Sequence, residues 1–298
     1  MNYLVIGGAG FIGSNLVGAL LKRRHNVFVV DNFSTGNKNN IPPQAVLLEE
    51  SIEKFCREYD YPQLDGIFHL GQPSSSPMYR TNRNLVGKTI SEFVNLFKYC
   101  RDHNVKIIYA SSSSVYNGNK TPYDEAMNII PTDFYTETRY LMERLAQVYY
   151  SMDKVKSIGL RLFSVYGPRE EYKKLYANII TQLVWANSHG RIFDIYGDGE
   201  QRRDATFVSD VVEGFMLAMK SDINCDIFNI GSGVNYSFNE FVSIIGTQVR
   251  HIKQPIKNYV DVTLANTTKA EEQLGFKVKV SLEEGLRRLA KEPERVVV

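Results

Sequence analysis

A glycine-rich segment near the start of the chain constrains the fold most. Gly7, Gly10 and Gly13 stand at three-residue spacing between an apolar run, Asn2–Ile6, and a helical pattern over 14–23. Small residues at this spacing allow a tight turn, and they let a pyrophosphate approach the positive end of the following helix. The pattern predicts a phosphate-binding turn between strand and helix, although a glycine turn in a fold without a nucleotide would look the same by itself.

An acidic residue after the second apolar run specifies the nucleotide. Asp31 directly follows the run 27–30, about 20 residues beyond the turn, where a carboxylate can accept hydrogen bonds from an adenosine ribose. That carboxylate would repel a 2′-phosphate, and no arginine follows it within 32–36. The cofactor predicted from these residues is NAD rather than NADP.

The apolar and helical patterns then alternate along the chain. Buried-strand patterns at 66–70 and 106–110 enclose a helical pattern at about 84–101, and a helical pattern at 136–150 precedes a strand pattern at 157–163. Alternating strands and helices are typical of a parallel sheet covered on both faces. The predicted fold class is therefore α/β, with a doubly wound parallel sheet of the Rossmann type.

The alternation weakens after the sequence Tyr166-Gly167-Pro168. We interpret this change as the start of a smaller α/β lobe that binds the substrate. The predicted NAD-binding domain comprises 1–164 plus 205–230, and the predicted substrate lobe comprises 165–204 plus 231–298.

Composition excludes several classes of function. Lys and Arg number 35 against 33 Asp and Glu, a formal charge of +2, so no basic surface for nucleic acid or an anionic membrane is predicted. The uncharged residues 1–21 contain five glycines and no basic leader, which is unlike a signal or membrane segment. Three widely spaced cysteines and five histidines show no ligand spacing, so we expect no metal and no disulfides, and a cytoplasmic location.

Two hydroxyl-bearing segments are candidates for the chemistry. The serine run 111–114 follows a predicted strand, so its side chains should emerge at the sheet edge where ligands bind. Tyr135 and Arg139 are four residues apart on a predicted helix and hence share a face. A phenol with a pKa of about 10 can act as a base near neutral pH only beside a cation such as Arg139. In isolation, the pair would more simply be a packed tyrosine and a solvated arginine.

Together these residues resemble the extended short-chain dehydrogenase/reductases, namely the NAD-dependent nucleotide-sugar epimerase/dehydratase family with its UDP-glucose 4-epimerase-like members. The motifs that carry the resemblance are Gly7-Gly-Ala-Gly-Phe-Ile-Gly13, Asp31-Asn32, Phe68-His69-Leu70, Asn84-Leu-Val-Gly87, Tyr166-Gly-Pro-Arg169, Ile195-Tyr-Gly-Asp-Gly199 and Arg203-Asp204. The resemblance implies a two-lobed enzyme that holds NAD tightly, clamps a nucleotide sugar between its lobes and forms a homodimer.

The resemblance also implies roles for individual residues. Ser112 would hydrogen-bond the sugar 4-hydroxyl, Tyr135 would take its proton, and Arg139 would stand at the place of the family's lysine. The implied cofactor contacts are Gly7, Gly10, Phe11, Ile12, Gly13, Asp31, Asn32, Ser34, Gly36, Leu70, Gly71, Asn84, Tyr135 and Arg139. The implied substrate contacts are Ser113, Ser114, Ser164, Asn178, Tyr196 and Arg203, the last with the diphosphate.

The chain departs from the family pattern at four places. Arginine replaces lysine at Arg139, and its planar guanidinium is bulkier than an ammonium group. Ser51 stands where an acidic residue usually contacts the adenine, and Ser164 where asparagine is usual. The Arg-x-Gly-Asp pattern of the substrate lobe is blurred near 258–261.

The reaction follows from what is missing beside Ser112. The family's 4,6-dehydratases carry an acid pair at the positions of Ser113 and Ser114, and its decarboxylases tend to carry a glutamate there. Serines cannot act as carboxyl acids or bases, so oxidation and re-reduction at C4 is the simplest chemistry. We predict a 4-epimerase of a UDP-sugar. The alternatives are a non-catalytic NAD or nucleotide-sugar-binding protein and a family dehydratase or decarboxylase.

Overall fold

A computed structural model describes residues 1–59, 63–253 and 260–291. The strands of these residues are β1 (Asn2–Ile6), β2 (Asn26–Val30), β3 (Val46–Leu48), β4 (Gly66–His69), β5 (Ile107–Ser112), β6 (Ser157–Leu162), β7 (Val165–Tyr166), β8 (Phe193–Tyr196), β9 (Arg202–Asp204), β10 (Thr206–Phe207), β11 (Cys225–Ile230), β12 (Asn235–Ser237) and β13 (Val249–Ile252). The α-helices are α1 (Phe11–Lys22), α2 (Ile52–Glu58), α3 (Ser76–Thr81), α4 (Leu85–His103), α5 (Phe134–Asp153), α6 (Ile179–Ser188), α7 (Val208–Lys220), α8 (Phe238–Ile245), α9 (Thr268–Leu274) and α10 (Leu282–Leu289).

Seven strands form one sheet in the order β11-β6-β5-β4-β1-β2-β3. All neighbouring strands in it pair in parallel. The strand order reverses between β1 and β4, and in such open sheets ligands bind beyond the carboxyl ends of the strands at that reversal. The predicted doubly wound α/β fold is confirmed.

Helices cover both faces of this sheet. Val5 packs with the cluster formed by α1 and α7, whereas Leu4, its neighbour in β1, packs with the cluster formed by α2, α4 and α5. Successive side chains of a strand point to opposite faces, so a sheet buried on both sides needs unbroken apolar strands. This requirement explains why the strand segments are recognisable in the sequence.

The remaining strands form three two-stranded pairs, β7 with β10, β8 with β13, and β9 with β12. They lie within 165–252, the part of the chain where the alternating pattern fades. Each strand has two to four residues, which is too few to show the alternation of apolar and polar residues that identifies a strand in a sequence. After β10, the helix α7 leads the chain back to the main sheet as β11. The division of the chain at 164, 204 and 230 stays a prediction.

Two helix starts differ from the sequence prediction by a few residues. Helix α1 begins at Phe11, so Gly13 lies in its first turn rather than ahead of it. Helix α5 begins at Phe134, because Asp133 caps it by accepting a hydrogen bond from the N–H of Thr136 (2.8 Å). The earlier start places Tyr135 within the first turn of α5.

None of the helices in the described ranges combines the length and the apolar character needed to cross a lipid bilayer.

Candidate active site

A cavity of about 520 Å³ opens at the carboxyl edge of the main sheet. Elements far apart in the sequence line it, including the glycine turn, the end of β5, the start of α5 and the loops after β6. The predicted site residues in its wall are Gly7, Gly10, Phe11, Ile12, Gly13, Leu70, Ser112, Ser113, Ser114, Tyr135, Arg139, Ser164, Asn178 and Arg203. The serine run, the tyrosine and the glycine turn therefore share one cavity.

The glycine turn has no room for side chains. A Cβ on Gly13 would lie 2.1 Å from the carbonyl oxygen of Gly7, and one on Gly7 would lie 2.5 Å from Cα of Gly71. Gly7 also has a φ of +79°, in the left-handed region that favours glycine. The bare main chain leads into α1, whose first N–H groups have no acceptor within the helix. This cradle fits the pyrophosphate of a dinucleotide.

Asp31 is held by the main chain around it. Its carboxylate accepts hydrogen bonds from the N–H groups of Ala9 (2.9 Å) and Phe33 (2.8 Å). Burial raises the pKa of Asp31, and these two hydrogen bonds counteract part of the rise. The bond to Ala9 fixes the carboxylate beside the glycine turn, where a ribose of a bound dinucleotide would lie.

Seven predicted contact residues do not line the cavity, namely Asp31, Asn32, Ser34, Gly36, Gly71, Asn84 and Tyr196. Gly36 and Gly71 pack behind the glycine turn, where their own Cβ atoms would clash with Ala9 and with Ile6. Asn84 is exposed at the start of α4. The roles assigned to these residues stay predictions.

The serine run forms the end of β5 and a short 3-10 helix. Ser112 is the last residue of β5, and its Oγ accepts a hydrogen bond from the N–H of Ser114 (3.2 Å). The 3-10 helix Ser113–Tyr116 follows at once. Ser112, Ser113 and Ser114 consequently emerge together at the sheet edge, next to the cavity.

Tyr135 and Arg139 are both buried and face the cavity. Their exposed fractions are 7% and 2%, and the guanidinium carbon of Arg139 lies 4.9 Å from the ring centroid of Tyr135. At this distance a guanidinium interacts favourably with an aromatic ring. The simpler interpretation, in which Arg139 is solvated, is wrong.

The guanidinium of Arg139 retains donors that the protein does not use. Nη2 donates to the carbonyl oxygen of Pro73 (2.6 Å), and Nη1 lies 3.6 Å from the sulfur of Met142. Nε is buried and has no hydrogen-bond partner among the described residues. A buried donor without a partner is costly, so this side chain suits a ligand with acceptor oxygens, such as the nicotinamide ribose.

His69 lies below this pair at the end of β4, and the sequence showed it only as part of a strand motif. It is 1% exposed, and burial together with the charge of Arg139 lowers the pKa of His69 to about 3. The imidazole is therefore neutral at physiological pH.

Arg203 borders the cavity from β9. Its Nη1 donates to the carbonyl oxygens of Arg202 (2.9 Å) and Asp261 (3.2 Å), and its guanidinium stacks over the ring of Phe238 at 5.2 Å.

Ser164 borders the same side of the cavity with a φ of +25°, an uncommon value for a residue other than glycine. Of the blurred pattern near 258–261, residues 258 and 259 lie outside the described part of the chain.

A buried carboxylate missed by the sequence analysis organises the loop before α6. Glu170 is 1% exposed and accepts hydrogen bonds from Lys173 Nζ (2.7 Å), the N–H of Asn178 (2.8 Å) and Thr181 Oγ1 (2.6 Å). Asn178 caps α6 and accepts a hydrogen bond from the N–H of Ile180 (3.0 Å). The only signal in the sequence is an acidic residue after Tyr166-Gly-Pro-Arg169, which is too weak to predict this role.

Three charged residues that the sequence did not single out also border the cavity, namely Arg80, Asp133 and Lys173. The carboxylate of Asp133 accepts hydrogen bonds from Ser76 Oγ (2.5 Å) and from the N–H of Thr136.

Ser51, a departure from the family pattern, caps α2 by accepting a hydrogen bond from the N–H of Lys54 (3.2 Å).

Within the described ranges, no cluster of histidine, cysteine and acidic side chains could hold a metal ion. The polar groups that line the cavity are main-chain N–H groups, hydroxyls, side-chain amides, phenols, guanidinium groups, the carboxylate of Asp133 and the ammonium group of Lys173.

The fold and the cavity define a dinucleotide-binding enzyme of the short-chain dehydrogenase/reductase class. The NAD dependent epimerase/dehydratase family matches residues 3–231, and the chain belongs to that family. The predicted cofactor, NAD, is confirmed.

Similar proteins act on nucleotide sugars. UDP-glucuronic acid decarboxylase 1 of Xenopus tropicalis is 30% identical over 96% of this chain and 70% of that protein. The UDP-glucose 4-epimerase of Thermotoga maritima, solved with UDP-glucose, has a TM-score of 0.89 at 31% identity and covers 98% of both chains. The UDP-glucuronic acid 4-epimerase of Bacillus cereus, solved with UDP-glucuronic acid and NAD, has a TM-score of 0.85 at 26% identity, covering 97% of this chain and 98% of that one.

Proposed function

We propose that this protein is a 4-epimerase of a UDP-sugar. The observation that carries the proposal is the shared cavity, in which Ser112, Tyr135 and Arg139 lie together with the glycine turn. The 4-epimerases among the similar proteins support the choice of reaction.

In this proposal two side chains act on the sugar C4 hydroxyl, and a third assists them. Ser112 Oγ hydrogen-bonds that hydroxyl, and the phenol of Tyr135 takes its proton as a general base. Arg139 sustains the phenolate by its positive charge and orients the nicotinamide ribose through its remaining donors. NAD, when bound, accepts a hydride from C4 and returns it to the opposite face of the 4-keto sugar.

The remaining predicted residues divide between the two ligands. We assign the pyrophosphate of NAD to the turn that starts at Gly7 and its adenosine ribose to Asp31. Arg203 pairs with the diphosphate of the substrate, because a planar guanidinium can donate two parallel hydrogen bonds to phosphate oxygens. The proposed sugar contacts are Ser113, Ser114, Ser164, Asn178 and Tyr196.

The acidic groups of the cavity favour epimerisation over dehydration or decarboxylation. Removal of a hydroxyl requires an acid for the leaving group and a base for a C–H proton. Among the described lining residues, Asp133 is the only carboxylate. Both of its oxygens already accept hydrogen bonds, from Ser76 and from the N–H of Thr136.

The test is to incubate the purified, NAD-loaded protein with UDP-hexoses, UDP-N-acetylhexosamines and UDP-uronates, and to follow interconversion of the 4-epimers. We expect at least one pair to interconvert, and Tyr135→Phe to lower kcat about 100-fold or more, because a general base contributes that much. Tyr172→Phe, at a tyrosine outside the cavity lining, is the matched control. Absence of interconversion for all pairs would refute the epimerase.

A non-catalytic binding protein is the second candidate, because Arg139 replaces the family's lysine. The two candidates differ in one measurement. An enzyme develops the absorbance of reduced nicotinamide when the sugar nucleotide is added, whereas a binding protein shows an unchanged spectrum together with a measurable affinity for the sugar nucleotide.

We further propose a homodimer. Val148 and Met152 are neighbours one turn apart on α5 and are 53% and 76% exposed, and contiguous exposed apolar side chains mark surfaces that pack on a partner. Light scattering tests this assembly, and a monomeric mass at micromolar concentration would refute it.

A further inference from the structure

A row of buried polar side chains crosses the sheet directly below the cavity. Ser111 of β5, Arg161 of β6 and Asn229 of β11 stand opposite one another in the strand register. Glu143 of α5 lies over this row, and all four residues are at most 5% exposed. Such a row interrupts an otherwise apolar layer between the sheet and α5.

Glu143 is held by three hydrogen bonds. Its Oε1 accepts from Ser111 Oγ (2.5 Å) and Arg161 Nε (2.9 Å), and its Oε2 accepts from Arg161 Nη2 (2.7 Å). The two bonds from Arg161 are parallel and bidentate, which fixes the orientation of both groups. Glu143 therefore joins α5 to two strands in one defined geometry.

The network continues to the 3-10 helix that follows Ser112. Arg161 Nη1 donates to the hydroxyl of Tyr116 (2.7 Å), and this hydroxyl donates to Asn229 Oδ1 (2.8 Å). Tyr116 is the last residue of the 3-10 helix. The segment 111–116, which contains the proposed catalytic serine, is thus held at both ends by the same guanidinium–carboxylate pair.

Helix geometry connects Glu143 with the proposed base. Glu143 lies four residues after Arg139 and eight after Tyr135, so the three side chains lie along one side of α5, spanning about 12 Å of its axis. Any rotation or sliding of α5 against β5 changes the position of Tyr135 relative to Ser112. The hydrogen bonds of Glu143 oppose both movements.

We propose that Glu143 is a positioning residue for Tyr135 and Ser112, acting through Ser111 and Arg161. Stability alone does not call for this network, because buried ion pairs can often be replaced by apolar side chains without loss. An apolar contact does not fix the rotation of α5 about its axis, whereas directional hydrogen bonds do. This matters for catalysis, because a displacement of 1 Å at the reacting groups can cost about 100-fold in rate. The inference rests on the proposed function in assigning the reacting groups.

The decisive variant is Glu143→Asp, which keeps the charge but withdraws the carboxylate by one methylene. We expect kcat to fall about 10–100-fold, with KM and the NAD content of the protein within about twofold of the parent. Glu143→Gln should lower kcat to a similar extent. Asp210→Asn is the matched control, because Asp210 is a buried carboxylate of α7 that accepts hydrogen bonds from the N–H groups of Lys279 (3.1 Å) and Val280 (3.0 Å), away from the cavity lining. It should change the melting temperature and leave kcat unchanged.

Ser111→Ala provides a milder variant should Glu143→Asp fold poorly, because it removes one hydrogen bond and keeps the ion pair. We expect it to lower kcat by a smaller factor at unchanged KM. If the Glu143 and Ser111 variants have the kcat of the parent and only their melting temperatures are lower, the network serves stability alone. That result overturns the inference.

A structural readout separates this inference from the proposed function. Crystals of the NAD-bound Glu143→Asp protein should show a Tyr135 Oη to Ser112 Oγ distance changed from that of the parent, whereas Asp210→Asn should preserve it. If the parent epimerises no UDP-sugar, the proposed function fails, but this distance still decides the role of Glu143. An unchanged distance in Glu143→Asp overturns the inference whatever the activity.

Discussion

The glycine turn and the loops that follow residue 165 border the same cavity, but their main chains are held in place in different ways. In the turn, the surface is the main chain itself, because Gly7 and Gly13 leave no space for a Cβ. In the later loops, buried carboxylates hold the main chain in place. Asp204 accepts hydrogen bonds from the N–H groups of Ser232 (2.7 Å), Gly233 (3.0 Å) and Ala265 (3.0 Å), and Glu170 does the same for the loop before α6.

This difference separates binding from stability. A substitution in the turn displaces the main chain that would hold the ligand, because the new Cβ overlaps neighbouring backbone atoms. A substitution at a buried carboxylate instead removes the acceptor of main-chain N–H groups. We therefore expect mutations in the turn to act mainly on NAD affinity and mutations at the carboxylates to act mainly on the free energy of unfolding.

The largest effect is expected for Asp204→Ala. The substitution removes the acceptor of the buried N–H of Ala265 and of the partly buried N–H groups of Ser232 and Gly233, whereas the hydroxyl of Ser232 keeps its bond to the carbonyl oxygen of Val234. A buried donor left without a partner costs about 1–3 kcal/mol, so we expect a loss of about 3–5 kcal/mol for the three together. Urea denaturation monitored by circular dichroism measures the loss. Asp194→Asn is the control, because Asp194 pairs with Arg250 in solvent and its loss should change stability little. A similar small change for both variants would contradict the comparison.

The next effect is a loss of NAD affinity in Gly13→Ala. The new Cβ would overlap the carbonyl oxygen of Gly7, so the turn must shift away from the geometry that would hold the pyrophosphate of NAD. Overpacking of this kind costs about 1–3 kcal/mol, and a cost of that size in binding corresponds to about 5–150-fold in affinity. Titration calorimetry of the NAD-free protein measures it. Gly87→Ala in α4 is the control, because a Cβ there meets no atom within 4 Å. Equal NAD affinities in the two variants would show that the turn does not hold the cofactor.

The same difference explains which parts of the site the sequence could predict. Three glycines at a fixed spacing, followed by Asp31, report directly on a main-chain geometry, so the sequence alone predicted the fold, the turn and NAD. The main-chain partners of Asp204 lie 28 to 61 residues away along the chain, and no local pattern in the sequence indicates such contacts. The partners of Glu170 lie within 11 residues, but they belong to an irregular loop and a helix start that show no periodicity. The short strands β7 to β10 were missed for a related reason, since two to four residues cannot show a period.

Arg139 and Glu143 could be predicted from the sequence only in part. The spacing of Tyr135 and Arg139 predicted a shared helix face, but only the structure shows that Arg139 is buried and bonded to Pro73. Glu143 continues the same face, yet an acidic residue on a helix is more commonly solvated. Its burial depends on Arg161, a residue of another strand that helical periodicity cannot connect with it.

The last effect is seen only on acidification and concerns His69, a buried titratable side chain at the end of β4. Because the pKa of His69 is about 3 in the folded protein and about 6.5 in an unfolded chain, the unfolded state binds more protons between these values. The stabilisation from neutral His69 is complete above pH 6.5 and is lost progressively as the pH falls towards 3, by about 2 kcal/mol at pH 5. His69→Gln should flatten the dependence of the unfolding free energy on pH between 7 and 5, whatever its effect on absolute stability.

The exposed His103 is the control, and His103→Gln should keep the slope of the parent. A parental slope in His69→Gln would mean that the acid sensitivity arises elsewhere, with the buried carboxylates of the later loops as the next groups to examine.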